Sequence, residues 1–333
     1  MLTKQKIPPI ALNELLAKFN LGTIKKIKPL ATSGNIAYII STTEKSYLLR
    51  LSPLGVRWRS KQEIDAELEI INYLFKKKFP VAKPIATKNG GQVISWANHF
   101  GYLREFIDAK PKLNPTSKDA KQFGELVGQF HSLIKNYKTK EKRKHIWDLK
   151  ETENWFYQDK KKILNSNFKN SEKFVSKFEK EIRSLKFPDN LPMGTIHEDL
   201  GKRHVLWQKD KIVAIIDFDR CYYGKLILDL GEACRQWCFM NNWKKWSNGN
   251  FQALLNGYQN QNGRKLTNLE KKYLVDAIKF GILERGLSFC IRFIQVTNDL
   301  GDEKYAIYSV SENGLIGMIE KNRKEIEKFL KTV

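Results

Sequence analysis

Two carboxylates and the residues around them carry the chemistry this chain can do. Asp199 lies in the polar run His197-Glu198-Asp199-Leu200-Gly201-Lys202-Arg203-His204, and Asp217 closes the apolar run Ile212 to Ile216. Val205 to Gln208 reads as a short strand, Lys209-Asp210-Lys211 as a polar turn and Ile212 to Ile216 as a second strand. The segment is therefore expected to fold as a hairpin that returns the chain and brings both carboxylates to one edge of a sheet. Phosphoryl transfer from a nucleotide needs such a pair: one group orients the attacking hydroxyl and accepts its proton, and the other holds magnesium against the phosphates. Asp199 suits the first role and Asp217 the second. A His-Glu-Asp triplet alone is usually a solvated turn, and an aspartate ending a strand often caps the next element. Only the combination with the hairpin and with the spacing from Gly224 to Asp229 favours catalysis.

The run resembles the catalytic segment of the kinase-like phosphotransferases of the aminoglycoside phosphotransferase, choline kinase and homoserine kinase group. That family reads His-x-Asp-x-x-x-x-Asn, then Ile-Asp-Phe or Ile-Asp-Trp, then Gly-x-x-x-x-Asp-Leu, which Gly224 and Asp229-Leu230 match. Ser33-Gly34-Asn35 with Ala37-Tyr38-Ile39 is similar to its nucleotide-covering hairpin, and Tyr47-Leu48-Leu49-Arg50 to its third strand. Glu67, ahead of Pro80-Val81-Ala82-Lys83-Pro84, sits where the family's helix glutamate sits. Any one piece is weak evidence, but the set runs in the right order.

The resemblance implies an α+β, protein-kinase-like two-lobed fold and an ATP- and Mg2+-dependent kinase acting on a hydroxyl of a small molecule, with GTP open as an alternative donor. It implies adenine held in the cleft between lobes by backbone groups near Glu105, Phe106 and Ile107, phosphates covered by Ser33, Gly34 and Asn35, and a phosphate-binding Arg50 paired with Glu67. Arg50 replaces the lysine usual in protein kinases, and a planar guanidinium can do both tasks. The bland alternative for Arg50 and Glu67 is a strand charge and a solvated helix face, and for the hairpin residues an ordinary turn. Within the catalytic loop Lys202, and less so Arg203, are placed to neutralise charge on the transferred group. His197 and Asp229 are expected to shape and brace that loop through hydrogen bonds.

His204 departs from the family, which has asparagine there. Imidazole is a poor substitute for an amide oxygen on magnesium, so either the metal is held differently or His204 contacts phosphate or Asp199. The His-x-Asp-x-x-x-x-His form with Ile216-Asp217-Phe218-Asp219-Arg220 also looks like lipopolysaccharide core heptose kinases, which makes a glycolipid sugar the alternative acceptor. A non-catalytic kinase-like scaffold is the reading of a different class. Asp219, where a protein kinase would have glycine, argues against a protein substrate. For the acceptor pocket, Glu232, Arg235, Trp237, Trp243 and Trp246 are the nearby candidates, although tryptophans at such spacing are more often core.

The elements that must position these residues follow from periodicity. Ala11 to Phe19 is predicted helical, and Ile24 to Leu30, Ile36 to Thr42 and Ser46 to Ser52 as antiparallel strands. Gln62 to Lys77 is predicted helical with Ile64, Leu68, Ile71 and Leu74 on one stripe, followed by strands Gln92 to Trp96 and Phe100 to Ile107. The N-terminal lobe is expected over 1–104, a hinge over 105–110 and a helical lobe over 111–333. Its helices are expected at Ala120 to Tyr137, Glu153 to Leu164, Lys173 to Leu185, Asp229 to Phe239, Phe251 to Tyr258, Leu269 to Thr297 and Ile307 to Leu330.

Composition is consistent with this. With 333 residues, 41% of them hydrophobic, the chain can build one large or two medium cores. Four cysteines without a Cys-x-x-Cys pair argue against a disulfide framework or a structural zinc. The N-terminus lacks a secretory apolar core and no run is long enough for a membrane helix, so a cytoplasmic location is expected. The net charge of +23 includes lysine clusters at 76–78, 138–144 and 160–162 that offer transient contact with an anionic membrane. Without interleaved aromatics or a helix-turn-helix pattern they read better as solvated faces than as a nucleic-acid site. The oligomeric state is left open by the sequence.

Overall fold

The computed structural model describes residues 6–32, 34–53, 59–141, 143, 146–260 and 264–333. The chain divides into two units: residues 1–110, 139–144 and 205–219 form the first, and residues 111–138, 145–204 and 220–333 the second.

In the first unit, α1 (Pro9–Ala17) precedes a five-stranded antiparallel sheet of β1 (Ile24–Pro29), β2 (Ile36–Thr42), β3 (Ser46–Leu51), β4 (Val93–Trp96) and β5 (His99–Glu105) in the order β1-β2-β3-β5-β4. Side chains alternate across strands, so Ile36, Tyr38 and Ile40 of β2 and Tyr47, Leu49 and Leu51 of β3 share a core with Leu12, Leu15 and Leu16 of α1. The same alternation sends Arg50 to the opposite face, between its cross-strand neighbours Ala37 and Tyr102. There α2 (Lys61–Lys76) lies, started by a capping box between Ser60 and Glu63 and packed through Ile64, Leu68, Ile71 and Leu74. Glu67 falls inside that apolar stripe and is fully buried.

The boundary expected near residue 104 is crossed by later chain. After the two-residue β6 (Lys110–Pro111), α3 (Ser117–Ile134), α4 (Leu149–Leu164), α5 (Ser171–Ser184) and β7 (Met193–Ile196), the hairpin of β8 (Val205–Gln208) and β9 (Lys211–Ile215) belongs to the first unit. Its turn is Lys209-Asp210, with Lys209 at φ +54. The reason is backbone pairing: Ile215 N–H donates to the Pro80 carbonyl at 2.8 Å and Ile215 bridges Val81 in parallel. Val205, Ala214 and Ile215 are buried there.

The second unit is mainly helical. β10 (Tyr222–Lys225) pairs with β7, and α6 (Leu226–Cys238) follows directly. Then come β11 (Phe239–Met240), β12 (Lys245–Trp246), α7 (Asn248–Tyr258), α8 (Asn268–Arg292), α9 (Leu300–Val310) and α10 (Leu315–Leu330). The long helix expected over 269–297 ends in a π-turn at Phe293–Thr297, and that expected over 307–330 breaks between α9 and α10, where Asn313-Gly314 interrupts it. The β7–β10 pair was missed because four-residue strands show too little alternation to stand out. No helix among the described residues is long and apolar enough to cross a membrane.

Candidate active site

Within the second unit, the loop from His197 to His204 is shaped from behind by one buried aspartate. Asp229, in the first turn of α6, accepts the N–H groups of His197 at 3.0 Å and Glu198 at 2.8 Å, and its Oδ2 meets His131 Nε2 of α3 at 3.1 Å. His131 Nδ1 in turn meets Tyr258 Oη at 2.9 Å. Asp199 N–H donates to His197 Nδ1 at 3.1 Å, so His197 serves as a buried acceptor that fixes the loop. Trp237 adds a bond sequence reading had not found, from Nε1 to the Leu200 carbonyl at 3.1 Å, while its ring stacks on Phe123 at 4.0 Å. Glu198 takes the left-handed conformation at φ +66, which turns the loop sharply at the residue before Asp199.

Asp199 is flanked by charge. Arg285 Nη2 of α8 lies 2.9 Å from its Oδ1. His204 Nδ1 donates to the Asp199 carbonyl at 2.9 Å and stands 3.8 Å from Oδ1. Burial opposes ionisation of the Asp199 carboxyl, but Arg285, followed by His204 and Arg220, holds it well below the usual carboxylate range. Because Nδ1 of His204 is committed to the loop, any contact it makes with metal or phosphate falls to Nε2. Lys202 donates to the Phe239 carbonyl at 3.1 Å, its pKa lowered by burial, and Arg203 is exposed. Of the acceptor candidates, Trp237 and Trp246 are core, and Glu232 and Arg235 form a buried fork at 2.6 and 2.7 Å. Arg235 also lies over the Trp243 ring, 5.0 Å from its centroid.

Within the first unit, Asp217 ends the hairpin at φ +73, a left-handed position for a residue with a side chain. Its Oδ1 lies 2.6 Å from Arg50 Nη2, and Asp219 Oδ2 lies 2.7 Å from the same nitrogen. Burial opposes the Arg50 charge, but Asp217, Asp219 and Glu67 together keep it firmly protonated. The expected Arg50–Glu67 pair is present at 3.4 Å, yet it is not the closest made by Glu67. Arg59 Nη1 is nearer, and Tyr102 Oη donates to Glu67 at 2.7 Å. With its amide turned to satisfy both groups, Asn35 accepts from Arg50 Nη2 at 2.8 Å and Nε at 2.9 Å. Gly34 N–H reaches Thr32 Oγ1 at 3.4 Å, and Ser33 lies outside the described residues. Glu105 and Phe106 use their N–H groups on the carbonyls of Lys83 and Ser46, at 2.9 and 3.0 Å, and the Ile107 carbonyl accepts from Ala109 at 2.9 Å.

Two carboxylate oxygens converging on one cationic nitrogen make a hard donor set that a divalent cation can accept. Among the described residues no group of three or more His, Cys, Asp or Glu is arranged around a metal site. Asp219, Arg59, Tyr102 and Arg285 were not identified from sequence. The one signal for Arg285 was a charged Glu284-Arg285 pair inside the apolar run from Phe280 to Leu287.

Comparison with known proteins identifies the family. The sequence profile of the phosphotransferase enzyme family matches residues 26–264. A homoserine kinase of Zymomonas mobilis subsp. mobilis is 28% identical over 222 residues, 66% of this chain and 67% of that protein. A homoserine kinase of Caulobacter vibrioides is 25% identical over 274 residues, 79% of this chain and 80% of that one. Among solved structures, the amicoumacin kinase hAmiN superposes with a TM-score of 0.69 at 17% identity, covering 98% of both chains. A microcompartment-associated aminopropanol kinase gives 0.68 at 17% identity, covering 96% of this chain and 99% of that one. The fold is therefore the kinase-like one, and the chain belongs to the phosphotransferase enzyme family, acting as a kinase on a hydroxyl of a small molecule.

Proposed function

We propose that the chain transfers the γ-phosphoryl group of ATP, with Mg2+, to a hydroxyl of a small molecule that also carries an amine. The observation that supports the donor half most is the convergence of Asp217 and Asp219 on Arg50 Nη2 at 2.6 and 2.7 Å. Asp217, with Asp219 beside it, would hold magnesium, which when bound neutralises the phosphates and the charge that develops on the transferred group. Arg50 would then turn its fork to phosphate oxygens while keeping Asp219, and Asn35 would steady it from the hairpin. Asp199 would orient the acceptor hydroxyl and take its proton, on a loop fixed through Asp229, His197 and Trp237. Adenine would meet the carbonyl of Glu105 or Phe106 and the N–H of Ile107, since the neighbouring N–H groups are committed. The amine is supported by the substrates that relatives are named for, homoserine and aminopropanol.

Calorimetric titration of the whole chain with a non-hydrolysable ATP analogue, with and without Mg2+, tests the donor half. Wild type is expected to bind much more tightly with metal. Asp217→Asn is expected to lose that gain and little else, because the amide keeps the shape and Arg50 retains Asp219. A variant whose nucleotide affinity still rose with Mg2+ by the wild-type factor would remove Asp217 from the metal role. GTP and its analogue in the same assay decide the donor, and product release across amine-bearing alcohols decides the acceptor half.

A further inference from the structure

The basic run at 138–144 is not all solvated surface. Residues 139–144 lie between α3 and α4 in the chain but belong to the first unit, where they dock on α2. Lys140 N–H donates to Glu69 Oε2 at 2.8 Å. Three residues on, the Arg143 side chain is only 4% exposed, and an arginine is buried to that depth only where its charge is used.

The Arg143 guanidinium meets two different segments. Its Nε faces Glu63 Oε1 at 4.0 Å, and its Nη2 donates to the main-chain carbonyl of Asp219. Glu63 is itself buried in the first turn of α2, with its other oxygen accepting the Ser60 N–H at 3.2 Å in the capping box. Arg143 therefore ties the start of α2 to the turn that carries Asp217 and Asp219. That turn needs a tie, since Asp217 sits at φ +73, a conformation that persists only where its surroundings over-determine it.

A second tie runs beside the first, from the same face of α2. Arg50 Nη1 lies 3.4 Å from Glu67, one helical turn beyond Glu63, and its Nη2 meets Asp217 and Asp219 at 2.6 and 2.7 Å. The two ties differ in what they grip. Arg50 holds carboxylate oxygens, the atoms that a divalent cation takes, so metal and Arg50 compete for Asp217. Arg143 grips a main-chain carbonyl and the start of α2, and neither is among the oxygens assigned above to the metal. Its tie can stay when that of Arg50 is given up.

We propose that Arg143 is a positioning residue that keeps the Asp217–Asp219 turn registered on α2 while a metal ion takes the place of Arg50 on Asp217. The inference rests on the metal role proposed for Asp217 and adds the group that holds that carboxylate in place.

Calorimetric titration of the full chain with a non-hydrolysable ATP analogue, with and without Mg2+, tests it on wild type, Arg143→Gln and Arg143→Lys. Arg143→Gln is expected to cut the gain in affinity that Mg2+ gives by about tenfold, the size of one lost charge-assisted hydrogen bond, and to leave affinity without metal within about threefold. Arg143→Lys is expected to fall between the two, since an ammonium keeps the charge but lacks the fork. A gain from Mg2+ equal to that of wild type in Arg143→Gln would overturn the proposal, and so would an equal loss with and without metal. Hydrogen exchange of the ligand-free chain gives a reading that needs no nucleotide. Arg143→Gln is expected to speed exchange at Lys140 and in the first two turns of α2 while α6 and α8 stay as in wild type. Unchanged exchange there, or acceleration throughout the chain, would overturn the proposal as well. Should Arg143→Gln not fold, Arg143→Lys takes its place in both measurements with the same directions expected. If wild type itself gains no affinity from Mg2+, the metal role of Asp217 fails, and the exchange measurement then decides the tie to α2 by itself.

Discussion

At the scale of single residues, the carboxylate of Asp199 is built to stay ionised. Arg285 and His204 hold it below the ordinary carboxylate range against the effect of burial, which would keep it able to accept a hydrogen bond from the proposed acceptor near neutral pH. Asp199→Asn removes that acceptor while keeping the shape. It is expected to lower kcat by about 10²–10⁴-fold and to leave nucleotide affinity within a few-fold, because the role proposed for the group is on the hydroxyl and not on ATP. The same depression predicts that kcat/KM measured above pH about 5 shows no acid limb that Asp199→Glu shifts. Turnover of the Asn variant equal to wild type would remove Asp199 from the chemistry.

At the scale of elements, the loop is as good as the helices behind it. α3 supplies His131 to Asp229 and Phe123 to Trp237, so its seat against α7 fixes both supports of the catalytic loop. That seat depends on close approach of the two backbones: a Cβ on Gly124 would lie 2.0 Å from the Leu254 carbonyl oxygen. Gly257 of α7 is equally tight against α3, with Lys121 O 2.1 Å from where its Cβ would be. Gly124→Ala is therefore expected to force the helices apart and to destabilise by about 1–3 kcal/mol, the usual cost of overpacking, or more if backbone has to move. Urea unfolding followed by tryptophan fluorescence measures it, and an unchanged midpoint would show that the interface is not close-packed as described.

At the scale of the whole molecule, the net charge of +23 coexists with acids held in ion pairs. Burial disfavours ionised Glu67 and Glu284, yet Arg59 and Arg50 for the first, and Arg220 and Arg285 for the second, lower both pKa values. The Arg323 fork, with Lys279, holds the exposed Glu320 at about 2. Carboxyl groups with folded values below their unfolded values of about 4 contribute stability that is fully present above the unfolded value and lost as pH falls toward the folded one. The melting temperature is thus expected to be level between pH about 8 and 6 and to decline below pH about 5, as the unfolded state takes up protons the folded state excludes. A melting temperature that rose on acidification from pH 6 to 4 would contradict the network. The lysine cluster at 76–78 is exposed, consistent with solvated surface, whereas Lys160 and Lys162 of the cluster at 160–162 pair with Glu179 and Asp159, both at 2.7 Å.

Asp199 and Asp217 were singled out in the sequence by the hairpin between them, and Arg50, Glu67 and Asp229 by the resemblance of their segments to the kinase-like phosphotransferases. β2, β3, α2 and the β8–β9 hairpin were legible from local periodicity, each being long or regular enough to bury one face. The partners of those residues were not. That Glu67 is held more closely by Arg59, eight residues away, than by Arg50, that Asp219 shares Arg50 with Asp217, and that Arg285 lies on Asp199 are all fixed by which side chains the packing leaves facing one another. The assignment of residues 205–219 to the first unit was likewise decided by the backbone bonds of Ile215 with the Pro80–Val81 segment, which no spacing along the chain reveals. Chemistry that depends on residue type could be read from the chain, whereas the ion pairs that tune it exist only once distant segments are packed into the same buried volume.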